Sequence, residues 1–184
     1  MALLQSQQTL KKGDTAPNFH LKGIDGKIYS LASFNDANAL LIVFMCNHCP
    51  YVRAKFDVMK GLVDKYGKKG LTLVGINSND PVKYPDDSFE NMKKTAKEQG
   101  FNFVYIFDDT QDVARAYGAV CTPDPFLFDK KRTLVYHGRL NNAMSPDHLP
   151  TQHDMDDVIG DLISGRKIAK DFLPSQGCSI KWKD

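Results

Sequence analysis

The chain has 184 residues, a formal net charge of +2 and a hydrophobic fraction of 42%, which are typical of one ordinary soluble domain. The near-neutral charge gives no electrostatic basis for binding nucleic acid or an anionic membrane. The longest apolar run, Ala39–Met45, is too short to span a bilayer, and the N-terminus lacks the apolar core of a signal peptide. We therefore predict a cytoplasmic protein with one domain over residues 1–184, a core at about 13–165 and a tail at 166–184.

Hydrophobic periodicity and turn residues then predict the elements in chain order. Gly23 and the Asp25-Gly26 pair indicate the turn of an N-terminal β-hairpin. The elements predicted after it are a buried strand at 39–45, a helix from 51 to 66, a strand at 71–76, a helix from 88 to 99, a strand at 103–107, a helix from 111 to 117, an antiparallel pair at 125–129 and 133–138, and a helix capped by Thr151. Strands that alternate with helices and end in an antiparallel pair predict an α/β sandwich with a mixed central sheet.

Two cysteines stand where the first buried strand passes into the first long helix. Cys46 follows the strand, and Cys49 with Pro50 opens the helix. We expect the unpaired N–H groups and the positive end of the helix dipole to face the Cys46 sulfur and to favour its thiolate. The two-residue spacing would let Cys49 attack a mixed disulfide on Cys46, which is the geometry of dithiol–disulfide exchange. His48, between them, either tunes Cys46 or is an exposed turn residue.

Metal binding is the alternative function of such a pair. A structural zinc site needs four ligands, usually from two cysteine pairs, but the other two cysteines, Cys121 and Cys178, are isolated in the sequence. No glycine-rich phosphate loop is present either. The sequence therefore predicts no metal and no cofactor, and an inert pair in a buried turn remains the structural alternative.

Three segments in the same order carry a resemblance to a known family: "GDTAPNFHLKGIDGKIYSL", "LLIVFMCNHCP" and "CTPDPFLFD". Together with the closing "GCSIKW", they resemble the redoxin branch of the thioredoxin fold. That branch includes the peroxiredoxins of the alkyl hydroperoxide reductase/thiol-specific antioxidant group. The resemblance runs from about Gly13 to the end of the chain, and it implies a thioredoxin-like three-layer sandwich.

The same resemblance implies roles for individual residues. Cys46 would attack and Cys49 would resolve. Thr122 and Pro123 match the threonine–cis-proline step that faces the redox pair, with the Thr122 backbone free to pair with an extended substrate segment. Cys121, just before this step, is either a small buried hydrophobic residue or a third redox thiol. Cys178 in the tail, similarly, is either an anchoring contact or a resolving cysteine.

The sequence also departs from the family patterns. The buried aspartate that thioredoxin carries six residues before its first cysteine is replaced by Leu40, so an assisting carboxylate is missing or comes from elsewhere. The peroxidase signature P-x-x-x-T-x-x-C is absent, because its proline and threonine places are Ile42 and Cys46. Arg53, one turn past Cys49, remains as possible support for a thiolate.

The predicted function is a cytosolic thiol–disulfide oxidoreductase that exchanges a Cys46–Cys49 dithiol with protein disulfides or small thiols. Its electrons would come from another dithiol protein or from glutathione, and it would act as a monomer or a weak homodimer. Two alternatives stay open: a thiol-dependent peroxidase, and a non-catalytic redox-sensing module of the same fold.

Overall fold

The structure is a computed structural model that describes residues 2–184. The β-strands are β1 (Leu3–Gln5), β2 (Leu21–Gly23), β3 (Ile28–Tyr29), β4 (Ala39–Phe44), β5 (Leu71–Asn77), β6 (Val104–Phe107), β7 (Cys121–Thr122), β8 (Asp124–Asp129), β9 (Leu134–Gly138), β10 (Phe172–Leu173) and β11 (Gln176–Ser179). The α-helices are α1 (Pro50–Arg53), α2 (Phe56–Tyr66), α3 (Phe89–Glu98), α4 (Asp112–Tyr117) and α5 (Asp154–Ile163).

The central sheet is mixed, as predicted. Its strand order is β10-β9-β8-β4-β5-β6-β2-β3. Strands β4, β5 and β6 are parallel, whereas β8 runs antiparallel to β4, from Ala39 opposite Asp129 to Phe44 opposite Asp124. The predicted hairpin is β2–β3, and its turn contains Gly26 at a φ of +84°, a left-handed conformation that glycine adopts without steric cost.

Strand β4 is buried on both faces, which explains its continuous apolar sequence. Leu41 and Val43 pack in a cluster that includes residues of α2, α3 and α5. Leu40 and Ile42 pack in a second cluster that includes residues of α4. The two clusters give the three layers of the predicted sandwich, and truncating a side chain such as Leu41 to alanine would cost about 2–5 kcal/mol.

Two of the predicted helices differ from the expectation. The helix expected from residue 51 is divided into α1 and α2, with Lys55 as the residue before α2. The last helix starts at Asp154, because Thr151 lies in a loop where its N–H and hydroxyl group contact the side chain of Asn142. The later start of the last helix lies at a helix end, where the side-chain pattern constrains the backbone least, whereas the break at Ala54 and Lys55 lies inside the predicted helix.

The C-terminal tail, in which the sequence shows little pattern, is built into the fold. Strand β10 pairs parallel with β9, and β11 lies between β1 and β7 in a second, three-stranded sheet. Short strands of this kind have no period to detect, since their partners are remote in sequence. Among residues 2–184, the helices are too short or too polar to cross a bilayer.

Candidate redox site

The two cysteines of the C-x-x-C motif lie at the carboxyl end of β4, but their relation to the helix differs from the prediction. Cys49 is the N-cap residue of α1 and Pro50 is its first helical residue. The Cys49 carbonyl oxygen accepts the N–H groups of Val52 and Arg53. Cys49 rather than Cys46 is therefore the cysteine at the helix N-terminus, although its sulfur makes no capping hydrogen bond.

The strand opposite the pair is placed as predicted. The Thr122–Pro123 peptide bond is cis. The Thr122 hydroxyl oxygen lies 3.4 Å from the Cys46 sulfur, and the Thr122 carbonyl oxygen lies 3.4 Å from the Cys49 sulfur. Thr122, which the family resemblance places opposite the pair, therefore faces both thiols from 76 and 73 positions away along the chain.

The two thiols have opposite pKa shifts. A hydrogen bond from the Cys46 thiol is the main cause that lowers the pKa of Cys49 to about 5. Hydrogen bonds from the Cys178 thiol, the Cys178 N–H and the Val52 N–H lower this pKa further, whereas burial raises it. Burial, the hydrogen bond to Cys49 and the negative charge of Asp87 raise the pKa of Cys46. The two directions favour the Cys49 sulfur over the Cys46 sulfur as the thiolate of the reduced pair. The sequence prediction assigned the thiolate to Cys46, because it placed that sulfur in front of the helix.

A carboxylate that sequence analysis missed stands beside the pair. Asp87 is fully buried, and its oxygens accept hydrogen bonds from the Asn47 N–H at 2.7 Å and the Asn79 amide at 2.7 Å. One oxygen also lies 2.5 Å from His48 Nδ1, and this contact raises the pKa of His48. The His48 ring stacks on Tyr84 at 5.6 Å. Asp87 comes just before the helix predicted from residue 88, so the carboxylate that Leu40 does not provide is supplied from the segment after β5.

The cysteine, the histidine and the aspartate form one cluster. A ring nitrogen of His48, a carboxylate oxygen of Asp87 and the Cys46 sulfur all lie within 4.8 Å of one another. Such groups can bind a metal ion, but both Asp87 oxygens already accept hydrogen bonds, and Cys46 is held as a neutral thiol. A bound metal ion would deprotonate Cys46, so the cluster is a candidate both for metal binding and for proton transfer. The absence of stoichiometric zinc or iron from the purified protein remains a prediction, and elemental analysis would test it.

The remaining sequence candidates separate into two groups. Cys178 lies in the site, with its sulfur 2.9 Å from that of Cys49. Cys121 is buried on the neighbouring position of β7, and burial raises the pKa of its thiol. Arg53 is exposed and lines a polar cavity of about 210 Å³ that also borders His48.

One expectation about the docking face is wrong. The sequence-based interpretation left the Thr122 backbone free for an extended substrate. In the structure, Thr122 pairs with Cys178 of β11, so the chain's own tail fills that position. Cys46 and Cys49 are both fully buried as a result of this packing. A remote strand of four residues gave no sequence signal for such pairing.

Comparison with known proteins agrees with this geometry. The model of the AhpC/TSA family matches residues 12–137, so the chain belongs to the AhpC/TSA family. It combines the thioredoxin-like fold with a cysteine pair at the end of β4 and a cis-proline step opposite that pair.

The relatives include both thiol-disulfide oxidoreductases and peroxiredoxins. A thiol-disulfide oxidoreductase ResA from Geobacillus thermodenitrificans is 27% identical over 139 residues, which cover 74% of this chain and 75% of the relative. A chloroplastic peroxiredoxin Q from Triticum aestivum is 25% identical over 145 residues, which cover 75% of this chain and 62% of the relative. The similarity therefore does not by itself decide between disulfide exchange and peroxide reduction.

A solved structure is similar over the whole chain. An uncharacterized conserved protein from Geobacillus kaustophilus is 40% identical, with a TM-score of 0.94 and coverage of 100% of this chain and 97% of the other. The tail therefore lies within the region of similarity, whereas the family model ends at residue 137.

Proposed function

We propose that this protein is a thiol–disulfide oxidoreductase whose Cys46 and Cys49 cycle between a dithiol and a disulfide. The observation that carries the proposal is the environment of the Cys49 sulfur. It lies at the N-cap of α1 with the Cys46 thiol as a hydrogen-bond donor, and its pKa is lowered to about 5. A stabilised thiolate with a second thiol in contact is the arrangement that disulfide exchange requires.

The first step is attack by the Cys49 thiolate on a partner disulfide. A bond forms between the Cys49 sulfur and one partner sulfur, and the other partner sulfur leaves as a thiolate that takes a proton from solvent. This order reverses the roles predicted from the sequence, and it is supported by a pKa that is lowered for Cys49 and raised for Cys46.

The second step is attack by Cys46 on the Cys49 sulfur of the mixed disulfide. Cys46 must lose its proton first, and neutral His48, held by Asp87, is the acceptor within 4.8 Å. The Cys46–Cys49 disulfide forms, and the partner's second sulfur leaves and takes up a proton. The electron pair has then passed from the protein dithiol to the partner disulfide.

The partners are disulfide-bearing proteins or small disulfides, and reduction of Cys46–Cys49 by another dithiol protein or by glutathione completes the cycle. We place this cycle in the cytoplasm, where protein disulfides are transient and catalytic. Both cysteines are buried in the closed structure, so a partner reaches them only when the tail moves.

The test is dithiothreitol-driven reduction of insulin. Cys49→Ser should abolish turnover, and the double variant Cys46→Ser/Cys178→Ser, which lacks both neighbouring thiols, should accumulate the mixed disulfide on Cys49. Cys121→Ser, which removes a buried cysteine next to the site, is the comparison. An NMR titration of cysteine Cβ resonances should show Cys49 ionising several pH units below Cys46. Turnover that survives Cys49→Ser would refute the proposal.

Thiol peroxidase activity is the second candidate, because the low pKa of Cys49 also suits attack on a peroxide. The Cys49 thiolate would be oxidised to a sulfenic acid as the peroxide releases an alcohol or water. Cys46 would then form the disulfide and release water. We expect peroxide reduction to be slower than disulfide reduction, because Cys46 occupies the threonine place of the peroxidase signature. Peroxide turnover of about 10⁴–10⁸ M⁻¹s⁻¹ would make peroxide reduction the main function.

A further inference from the structure

The tail segment 176–179 lies across the redox pair as an extended strand. Cys178 of β11 is the residue opposite Thr122, and Ser179 is opposite Cys121. An extended segment that pairs with an exposed strand position is one of the common modes of peptide recognition. The tail therefore occupies the place where the backbone of an extended partner would dock.

The tail is fixed on both sides of this strand. The Ser175 hydroxyl donates a hydrogen bond to the Pro123 carbonyl at 2.6 Å, and the Ser175 N–H donates to the Ser6 hydroxyl at 2.9 Å. After the strand, the Lys181 N–H donates to the Asn79 side chain at 2.8 Å. These contacts hold the position of Cys178 from several elements, as expected for a site in which a sulfur must be positioned accurately.

The sulfur of Cys178 is close to reaction distance. It lies 2.9 Å from the Cys49 sulfur, and a disulfide bond is about 2.0 Å long. A Cβ atom on the preceding residue, Gly177, would lie 1.8 Å from the Thr122 carbonyl oxygen. Only glycine therefore lets the tail approach the strand closely enough to place Cys178 on Cys49.

We propose that Cys178 is a third redox cysteine and that the segment 176–179 acts as an internal substrate of the cysteine pair. This inference rests on the proposed function, which supplies the Cys46–Cys49 disulfide. The Cys178 thiol attacks the Cys49 sulfur, the Cys49–Cys178 bond forms, and the Cys46–Cys49 bond breaks. The proton lost by Cys178 ends on Cys46, so the exchange needs no external oxidant or reductant.

The local charges support this exchange. In the reduced protein, burial is the main cause that raises the pKa of Cys178. The hydrogen bond to Cys49 and the negative charge of Cys49 raise it further. Once Cys49 is in a disulfide, its negative charge is gone, so the Cys178 thiolate becomes easier to form. The positive charge of Lys181 also lowers the pKa of Cys178 and so favours its thiolate.

Disulfide mapping tests the proposal in the whole wild-type chain. Trypsin places Cys46 and Cys49 in peptide 28–53, Cys121 in peptide 116–130 and Cys178 in peptide 171–181. The protein is equilibrated over a series of glutathione redox buffers, quenched in acid, alkylated and digested. We expect a disulfide-linked product of peptides 28–53 and 171–181 at intermediate potentials, with fragmentation locating the bond at Cys49.

Three variants sharpen the mapping. Cys46→Ser, treated with oxidised glutathione, should go directly to the Cys49–Cys178 disulfide. Gly177→Ala should lose that disulfide because the added Cβ moves the tail away. Gly61→Ala, on α2, adds a Cβ into open space and should keep the disulfide. Because wild type is itself informative, the proposal stays testable even if the Gly177 variant folds poorly.

The contrary outcomes are distinct. If Cys178 is alkylated at every potential, or if peptide 171–181 links to peptide 116–130, the inference is wrong. Insulin reduction that depends on Cys49 would then leave the proposed function intact. Turnover unaffected by Cys49→Ser would refute the proposed function instead, even if the Cys49–Cys178 disulfide formed.

Discussion

Two histidine–aspartate pairs lie in this fold, and their surroundings give them different roles. In the pair at the redox site, Nδ1 of His48 lies 2.5 Å from Asp87, and the His48 side chain is 13% exposed. In the second pair, between β9 and β8, His137 and Asp124 are 2.8 Å apart and fully buried. The His48 ring is partly exposed and has a nitrogen within 4.8 Å of the Cys46 sulfur, although its Nε2 is buried with no hydrogen-bond partner within the described residues, whereas the second pair is fully buried.

The fully buried pair also differs in its hydrogen bonds. His137 stacks on Phe126 at 3.9 Å, and one Asp124 oxygen has no hydrogen-bond partner within the described residues. Burial raises the pKa of Asp124 and the contact with His137 opposes the rise. The lesson is that access to solvent and to a reactive sulfur, rather than the residue types, distinguishes a proton-transfer pair from a core pair.

The largest expected effect is the loss of stability when the buried His137–Asp124 pair is broken. Asp124→Ala leaves His137 without its partner in the core, and breaking such a buried pair should cost about 3–5 kcal/mol of unfolding free energy. Urea unfolding of the reduced protein measures it, with the exposed Asp36→Ala as the matched control. A loss below about 1 kcal/mol would contradict the assignment of this pair to the core.

The next effect concerns rate. His48→Asn removes the proton acceptor for Cys46 and should slow closure of the Cys46–Cys49 disulfide by on the order of a hundredfold. Rapid mixing with a small disulfide, acid quenching and mass analysis follow the mixed disulfide and its closure separately. His20→Asn, on an exposed residue, is the control. Equal slowing of both steps would show that His48 acts on the whole site instead of on Cys46.

A pH series sharpens the comparison because stability and rate should change in opposite directions. Asp87 raises the pKa of His48. The stabilisation from this ion pair is therefore fully present below the unfolded pKa of about 6.5 and is lost as pH rises through the folded value. Disulfide closure needs neutral His48, so its rate should increase over the same range. The difference in unfolding free energy between wild type and His48→Asn measures the first trend, and rates that fell with rising pH would contradict the second.

The smallest expected effect concerns the stack of His48 on Tyr84. Ring stacking contributes about 0.5–1.5 kcal/mol, so Tyr84→Leu should slow disulfide closure by less than about tenfold through a less well-oriented imidazole. Tyr84→Phe keeps the ring and is the matched control. A slowing as large as that of His48→Asn would mean that Tyr84 does more than orient the histidine.

Much of the scaffold was predictable because it depends on local patterns. The apolar run at β4, the turn residues of the β2–β3 hairpin and the C-x-x-C spacing are each contained in a few neighbouring residues. The cis bond at Pro123 followed from resemblance to a family, and the structure confirms it.

The sequence by itself determined the layered α/β fold and the position of the cysteine pair at a strand end, and resemblance to a family added the strand that faces the pair. Only the tertiary structure decided which sulfur lies at the helix N-cap, which carboxylate assists and what covers the pair. Asp87 reaches the site from a loop 39 positions after His48, and Cys178 from a strand 129 positions after Cys49. A pKa depends on burial and on partners in space, and contacts across such distances leave no local period in the sequence.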